Sequence, residues 1–253
     1  MISKKQLQYY SSLLIKKYRK TENKFLVEGK KSVLEGINSS YKCEVVFVTN
    51  KFSVENIETV NEITALKNTI ITLTQKEFEK ISDTKTPQGI SAVFIKPEPN
   101  LSRLFLINDQ LIVILDNISD PGNLGTIIRN CDWFGIRNIL LSENIVDYTN
   151  PKVIRSSMGS IFHLNIFEEI NTESLLKLRA NGFEILCADL EGENIFNYRS
   201  EKKKVLILSS ESQGPSEEIQ TISDKKICIP KIGNAESLNV ASASAILLAE
   251  LTK

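Results

Sequence analysis

Leu111-Ile-Val-Ile-Leu-Asp-Asn-Ile-Ser-Asp-Pro-Gly-Asn-Leu-Gly-Thr-Ile-Ile-Arg129 begins as an unbroken apolar run and ends as a helix start. A run without polar alternation, Leu111–Leu115, suits a strand buried on both faces of a parallel sheet. Pro121-Gly122 then turns the chain into a helix expected over about Leu124–Phe134, with Asn123 and Arg129 on its first turns. Alone, this describes a well-formed turn and an ordinary surface arginine.

Working outward, further strands are expected at Asn138–Leu141, Phe162–Ile166, Glu184–Ala188, Val205–Ser209 and Lys226–Ile229. Helices over Thr172–Ala180 and Leu238–Leu251 complete the pattern. Such alternation predicts an α/β fold with a mostly parallel sheet, helices on both faces, and ligands beyond the carboxyl ends of the strands. Towards the N-terminus, Leu7, Tyr10, Leu14 and Tyr18 predict one basic amphipathic helix from Lys4 to about Lys20. Strands at Phe25–Val27, Glu44–Thr49, Ile70–Leu73 and Ile90–Ile95, with helices at Gly29–Ile37, Val54–Leu66 and Lys76–Ile81, make a smaller α/β unit. Lys96-Pro-Glu-Pro-Asn100 reads as an extended connection. The expected division is a domain over 1–96, a linker over 97–108 and a second domain over 109–253.

The 253 residues are 42% apolar and 25% charged, which suits a globular chain and excludes disordered, collagenous and membrane classes. No apolar run approaches the roughly 20 residues of a membrane span. Lys plus Arg and Asp plus Glu both total 31, but residues 1–31 hold nine basic side chains against Glu22 and Glu28. That excess fits either a solvated helix face or a patch for a polyanion such as RNA. Cys43, Cys131, Cys187 and Cys228 form no C-x-x-C pair and point to a reducing cytoplasm. One histidine, His163, argues against zinc and rules out chemistry that needs two histidines, so no metal is expected. Cys131 and His163 are read as packing residues, and Trp133 as core or interface.

Two more loops follow strands. Leu206-Ile-Leu-Ser-Ser-Glu-Ser-Gln-Gly-Pro-Ser216 surrounds one acid, Glu211, with small residues that let a ligand approach the backbone. It is neither a G-x-S-x-G elbow nor a phosphate loop with G-K-[ST], which removes hydrolase and triphosphatase readings. No G-x-G-x-x-G follows a strand, which argues against a dinucleotide oxidoreductase. Ile229-Pro-Lys-Ile-Gly-Asn-Ala-Glu-Ser-Leu-Asn-Val240 leads into a helix rich in Ala and Ser, with Ser237 as the expected cap.

In order and spacing, D-P-G-N-L-G-x-x-x-R, S-E-x-x-G and I-P-x-x-x-x-x-E-S-L-N-V resemble the SpoU/TrmH family of RNA ribose 2′-O-methyltransferases, from about Leu111 to the end. Tyr18-Arg19, Phe25-Leu-Val-Glu-Gly29 and Thr86-Pro-Gln-Gly89 are similar to the ribosomal-protein-like substrate-binding domain that many members carry. The resemblance implies a SPOUT catalytic domain with a trefoil knot. It implies S-adenosylmethionine against Ser209, Glu211, Gly214, Ile229, Pro230, Leu238 and Asn239, where Ser209 replaces the family's usual glycine. It places Asn123, Arg129, Glu211, Ser237 and Asn239 in catalysis. A guanidinium keeps its proton in proteins, so Arg129 is read first as holding the target phosphate, with proton removal coupled to it or to a bound water. Implied RNA contacts are Arg19, Lys20, Lys24, Arg129 and Arg155, with a structural role open for Arg155. Implied partners are RNA, ribosomal before transfer RNA, and a second copy of the chain through the C-terminal domain. The alternative is a non-catalytic RNA-binding protein that keeps the fold.

Overall fold

The computed structural model describes residues 2–98, 110–168, 170–210 and 214–253. The chain divides into two compact units, Met1–Glu98 with Asp147–Phe162, and Pro99–Val146 with His163–Lys253. From residue 99 onward the expected linker lies outside the described residues, as does Glu211. Segment 147–162, expected within the second domain, belongs to the first unit.

Among the described residues the first unit holds a four-stranded sheet in the order β1-β4-β2-β3, from β1 (Lys24–Glu28), β2 (Cys43–Thr49), β3 (Ile70–Leu73) and β4 (Ile90–Ile95). β4 runs antiparallel to β1 and β2, and β2 runs parallel to β3. Because side chains alternate along a strand, Leu26, Phe47 and Val93 meet Leu7 and Phe78 on one face. Phe25 and Phe94 point to the other, where they cluster with Tyr41 and Phe162. Gly36, in the helix α3 (Lys30–Ile37), lies on these rings; a Cβ there would stand 2.4 Å from the tip of Phe94, so no side chain fits. Phe162 is drawn into this cluster from the 3-10 turn Ser160–Phe162, which is why the strand expected from residue 162 starts at Asn165 instead.

The single helix expected to residue 20 is two, α1 (Lys4–Ser12) and α2 (Lys16–Glu22). Ser11 and Ser12 turn their hydroxyls back onto the carbonyls of Gln8 and Tyr9, a pattern that loosens a helix. The carbonyls of Leu13 and Leu14, which a continuous helix would satisfy internally, accept instead from Arg19 Nη1 at 3.1 and 2.8 Å. Arg19 is buried, and its Nε and Nη2 donate to Asp147 Oδ2 at 2.9 and 2.7 Å. This pairing ties the returning segment to α2. The segment's helix, Pro151–Ser157, is capped by Asn150 with proline at its start, a pattern the sequence reading passed over.

The second unit holds, among the described residues, a six-stranded sheet in the order β10-β8-β9-β5-β6-β7, parallel at every pairing. Its strands are β5 (Leu111–Asp116), β6 (Asn138–Leu141), β7 (Asn165–Phe167), β8 (Phe183–Asn194), β9 (Lys203–Ser209) and β10 (Lys225–Cys228). Ile112, Ile114, Val205 and Ile207 face a core completed by Leu175 and Leu178 of the helix Thr172–Ala180 and by Ile219 and Ile222 of the helix Glu217–Ile222. The Pro121–Trp133 helix packs against the Val240–Leu251 helix, which also touches β9. After β5 the chain builds β6 and β7 on one side, then crosses to β8, β9 and β10 on the other. β5 and β9 therefore flank the point where strand order reverses, which is where open α/β sheets bind ligands.

Burial pushes the Asp147 carboxyl up, but hydrogen bonds from Thr149 and the charge of Arg19 outweigh it and hold the group below its ordinary 3.8. Its contribution to stability is therefore complete at neutral pH and fades as pH falls below about 4. Arg19→Ala leaves this carboxylate buried without its cation and is expected to cost about 3–5 kcal/mol in urea unfolding at pH 7, with a smaller loss at pH 3.

Candidate functional site

Strands β5 and β9 end side by side, with Asp116 paired to Ser209 in register. From these ends leave two of the three loops singled out in the sequence, and a buried carboxylate joins them: Asp116 Oδ2 accepts the backbone N–H of Ser216 at 3.1 Å. In the first loop Asp120 caps the Pro121–Trp133 helix by accepting from Asn123 N at 2.8 Å. The third loop ends at Asn239, whose Oδ1 accepts from Ala241 N and Ser242 N and so caps the last helix. The cap is Asn239 and not the expected Ser237, which is exposed in the loop before it. Asn239 Nδ2 also donates to Asn123 Oδ1 at 2.9 Å, clamping the two helix starts together.

Deeper along the same pair of helices, Asn130 Nδ2 donates to Ala241 O and Ser244 Oγ, both at 2.9 Å. Seven residues after Asn123, Asn130 returns to the same face, whereas Arg129 sits about 100° round the helix. Arg129 is exposed and has no ion-pair partner among the described residues. Sequence reading did not single out Asp116 or Asn130; both look like ordinary polar residues until their partners, about 100 residues away, are known.

Between the second and third loops lies a cavity of about 400 Å³. Ser209, Gly214, Ile229, Pro230, Ser237 and Leu238, all expected at the site, line it; Asn239 stands next to it, between the lining residues Leu238 and Val240. Gly214 takes φ +65, and its N–H reaches Ser210 O at 2.9 Å, a left-handed turn that suits glycine. A further wall, absent from the sequence reading, comes from Ala188, Asp189 and Leu190 of β8. Among the described residues no group of His, Cys, Asp and Glu could hold a metal.

Several expected contacts are corrected. Arg19, buried against Asp147, is not free to meet RNA. Lys24 is tied to Glu44 and Tyr9: burial works against its charge, but those partners raise it well above the ordinary lysine range. Arg155 Nη1 lies 2.8 Å from Asp83 Oδ2, an ion pair within the first unit that is not aligned as a hydrogen bond. Lys20 is exposed, as are Lys4, Lys5, Lys16, Lys17 and Lys31. Cys131 is buried as expected, but His163 is exposed with Nδ1 2.8 Å from Asp132, and Trp133 is 84% exposed, so neither is a core residue.

Residues 110–249 match the model of the SpoU rRNA Methylase family, and residues 4–92 that of the MRM3-like substrate binding domain. The 23S rRNA (guanosine(2553)-2′-O)-methyltransferase RlmP of Bacillus subtilis is 30% identical over 244 residues, 96% of this chain and 94% of that one. Among solved structures, a TrmH-family protein from Porphyromonas gingivalis shares 33% identity at a TM-score of 0.85, covering 99% of this chain and 98% of its own. The AdoMet-bound rRNA methyltransferase of Sinorhizobium meliloti shares 26% identity at a TM-score of 0.87, covering 99% and 95%.

Asn239→Ala removes a helix cap and the clamp to Asn123 together. Thermal or urea unfolding is expected to show a loss of about 1–2 kcal/mol, while Ser237→Ala, which removes no cap, is expected to stay within about 0.5 kcal/mol of the parent.

Proposed function

Because the chain belongs to the SpoU rRNA methylase family, we propose that it transfers a methyl group from S-adenosylmethionine to a ribose 2′-hydroxyl of RNA, with ribosomal RNA as the substrate. The observation that carries this reading is a cavity between the second and third loops at the carboxyl edge of a parallel sheet, with the first loop hydrogen-bonded to both of them beside it. The Bacillus subtilis relative is named for 23S rRNA and the Sinorhizobium meliloti structure for rRNA, which favours ribosomal over transfer RNA.

The cavity suits the methyl donor on its own features. Its walls are mainly apolar with a few polar groups, the usual composition of a cofactor site. Ser209 lines it, with a buried hydroxyl that has no hydrogen-bond partner among the described residues. When bound there, the donor supplies a methyl group on a positively charged sulfur. What the protein must add is alignment, exclusion of water and a destination for the hydroxyl proton. Asn123 and Asn239, held by their mutual bond, fix the ribose beside the cavity, and Ser237 positions it from the exposed loop. Arg129, with no described carboxylate to neutralise it, grips the target phosphate through charge-assisted hydrogen bonds. The proton leaves by way of Arg129 or a water it holds. Glu211 orients neighbouring donors or Arg129.

The same reading covers the finer points. The third loop carries the chain from β10 back to the helix packed on Pro121–Trp133 and β9, the segment that the family resemblance threads as a trefoil knot. Exposed Trp133, with Ser242, Ala245 and Ala249 on the less buried side of the last helix, supports a homodimer through this unit. The exposed lysines of the first unit supply sequence-independent affinity for RNA. All four cysteines stand as thiols, in keeping with the cytoplasm, and no described helix is long and apolar enough to cross a membrane.

Calorimetry with S-adenosylmethionine is expected to show one site per chain; absence of heat at millimolar ligand would favour a non-catalytic RNA-binding protein instead. Ribose-methylation mapping of RNA from cells with and without the gene is expected to lose one 2′-O-methyl group in ribosomal RNA. Arg129→Ala is expected to slow methyl transfer by about a hundredfold or more while S-adenosylmethionine binds as before. Light scattering is expected to give about twice the 28.5 kDa chain mass.

A further inference from the structure

β8 departs from its neighbour at one place. Leu186 and Cys187 pair with Lys225 and Lys226, but the next partners of β10, Ile227 and Cys228, are Glu193 and Asn194. Residues 188–192 therefore loop away from β10 within one step of the partner strand. Gly192 makes this possible: a Cβ there would stand 2.6 Å from the carbonyl oxygen of Lys226, against backbone that cannot yield. The excursion presents Ala188, Asp189 and Leu190 to the cavity.

Asp189 is held in one orientation. Its Oδ1 accepts from the backbone N–H groups of Leu190 and Glu191 at 2.6 and 3.3 Å, and its Oδ2 lies 2.7 Å from Lys226 Nζ. Its side chain stays 22% exposed and Asp189 lines the cavity, so the carboxylate keeps acceptor capacity. Burial works against ionisation, but Lys226 and the two backbone donors outweigh it and keep the carboxyl below its usual range. Asp189 is thus a pure acceptor at neutral pH.

The cavity has a second carboxylate, Glu236, which is exposed and has no ion-pair partner among the described residues. The two differ in what they suit. Glu236 carries an uncompensated charge and fits a cation. Asp189, whose charge Lys226 already balances, fits neutral donors, and two adjacent hydroxyls match a carboxylate whose orientation the Leu190 and Glu191 N–H groups fix.

We propose that Asp189 binds the 2′,3′-diol of the adenosine ribose of the methyl donor and so contributes to selection of the nucleoside. This rests on the methyltransferase reading above. Asp189 is a cofactor-binding residue here and takes no part in moving the methyl group or the proton.

Calorimetry tests the assignment with three ligands: S-adenosylmethionine, S-adenosylhomocysteine and 5′-methylthioadenosine, the last of which keeps the diol but lacks the amino-acid ammonium. Asp189→Asn is expected to weaken all three by a similar factor of about tenfold or more. Lys226→Met, which breaks the ion pair and leaves the carboxylate, is expected to change each by less than about threefold, with thermal melts confirming that both variants fold. Three results would overturn the proposal: unchanged affinities in Asp189→Asn, weakening of the two amino-acid ligands alone, which would make Asp189 an ammonium site, or equal losses in Lys226→Met, which would make the effect structural. Failure of the unaltered protein to bind any of the three would instead remove the methyltransferase reading, and this one with it.

Discussion

Two hydrogen bonds between side chains and loops distant in sequence hold the working edge of this protein together. Asp116 receives the N–H of Ser216, and Asn123 receives the amide of Asn239. The first couples the loops leaving β5 and β9, and the second couples the starts of two helices more than 100 residues apart. The first is half-buried, so leaving a partner unsatisfied costs more than the bond itself contributes; the second is exposed and gains its hold from Asn239 also capping the last helix. The loops therefore cannot drift independently. A cavity whose walls come from separate loops keeps its shape only under such a constraint.

The sheet makes this arrangement available. In a parallel sheet every strand delivers its carboxyl end to the same edge, and reversal of strand order between β5 and β9 sends the neighbouring loops in opposite directions, which opens a crevice. The long apolar strands provide rigidity, and the short polar turns beyond them provide chemistry. The departure of β8 from β10 adds a further wall from the middle of a strand, where a loop would ordinarily be sought.

The first unit follows a different logic. Its ring cluster closes over Gly36 and takes in Phe162, a residue from far along the chain, while Arg19 and Asp147 fix the start of the same returning segment. Arg19 illustrates the limits of charge counting. It lies in the most basic stretch of the chain, yet it is spent on two backbone carbonyls and a carboxylate. Its exposed lysine neighbours carry whatever electrostatic role the patch has.

Much of the architecture was legible in the residues themselves. Strands such as Leu111–Leu115 and Asn138–Leu141 announce burial on both faces through uninterrupted apolar runs, and the three loops carry enough motif to name a family. Capping was only partly legible, because Ser237 and Asn239 are both good caps by type and the helix chose the one whose amide also had Asn123 to reach. Local composition determined which segments are strands and which turns bear polar groups, while the methyltransferase reading came from the resemblance of the three loop motifs to a known family. Tertiary structure alone decided that Asp189 reaches the cavity, that Arg19 is structural, and that residues 147–162 return to the first unit. The reason is physical: strand and helix patterns depend on neighbours a few residues away, whereas a charge or an amide acquires its role from whichever distant partner the completed packing sets within about 3 Å of it.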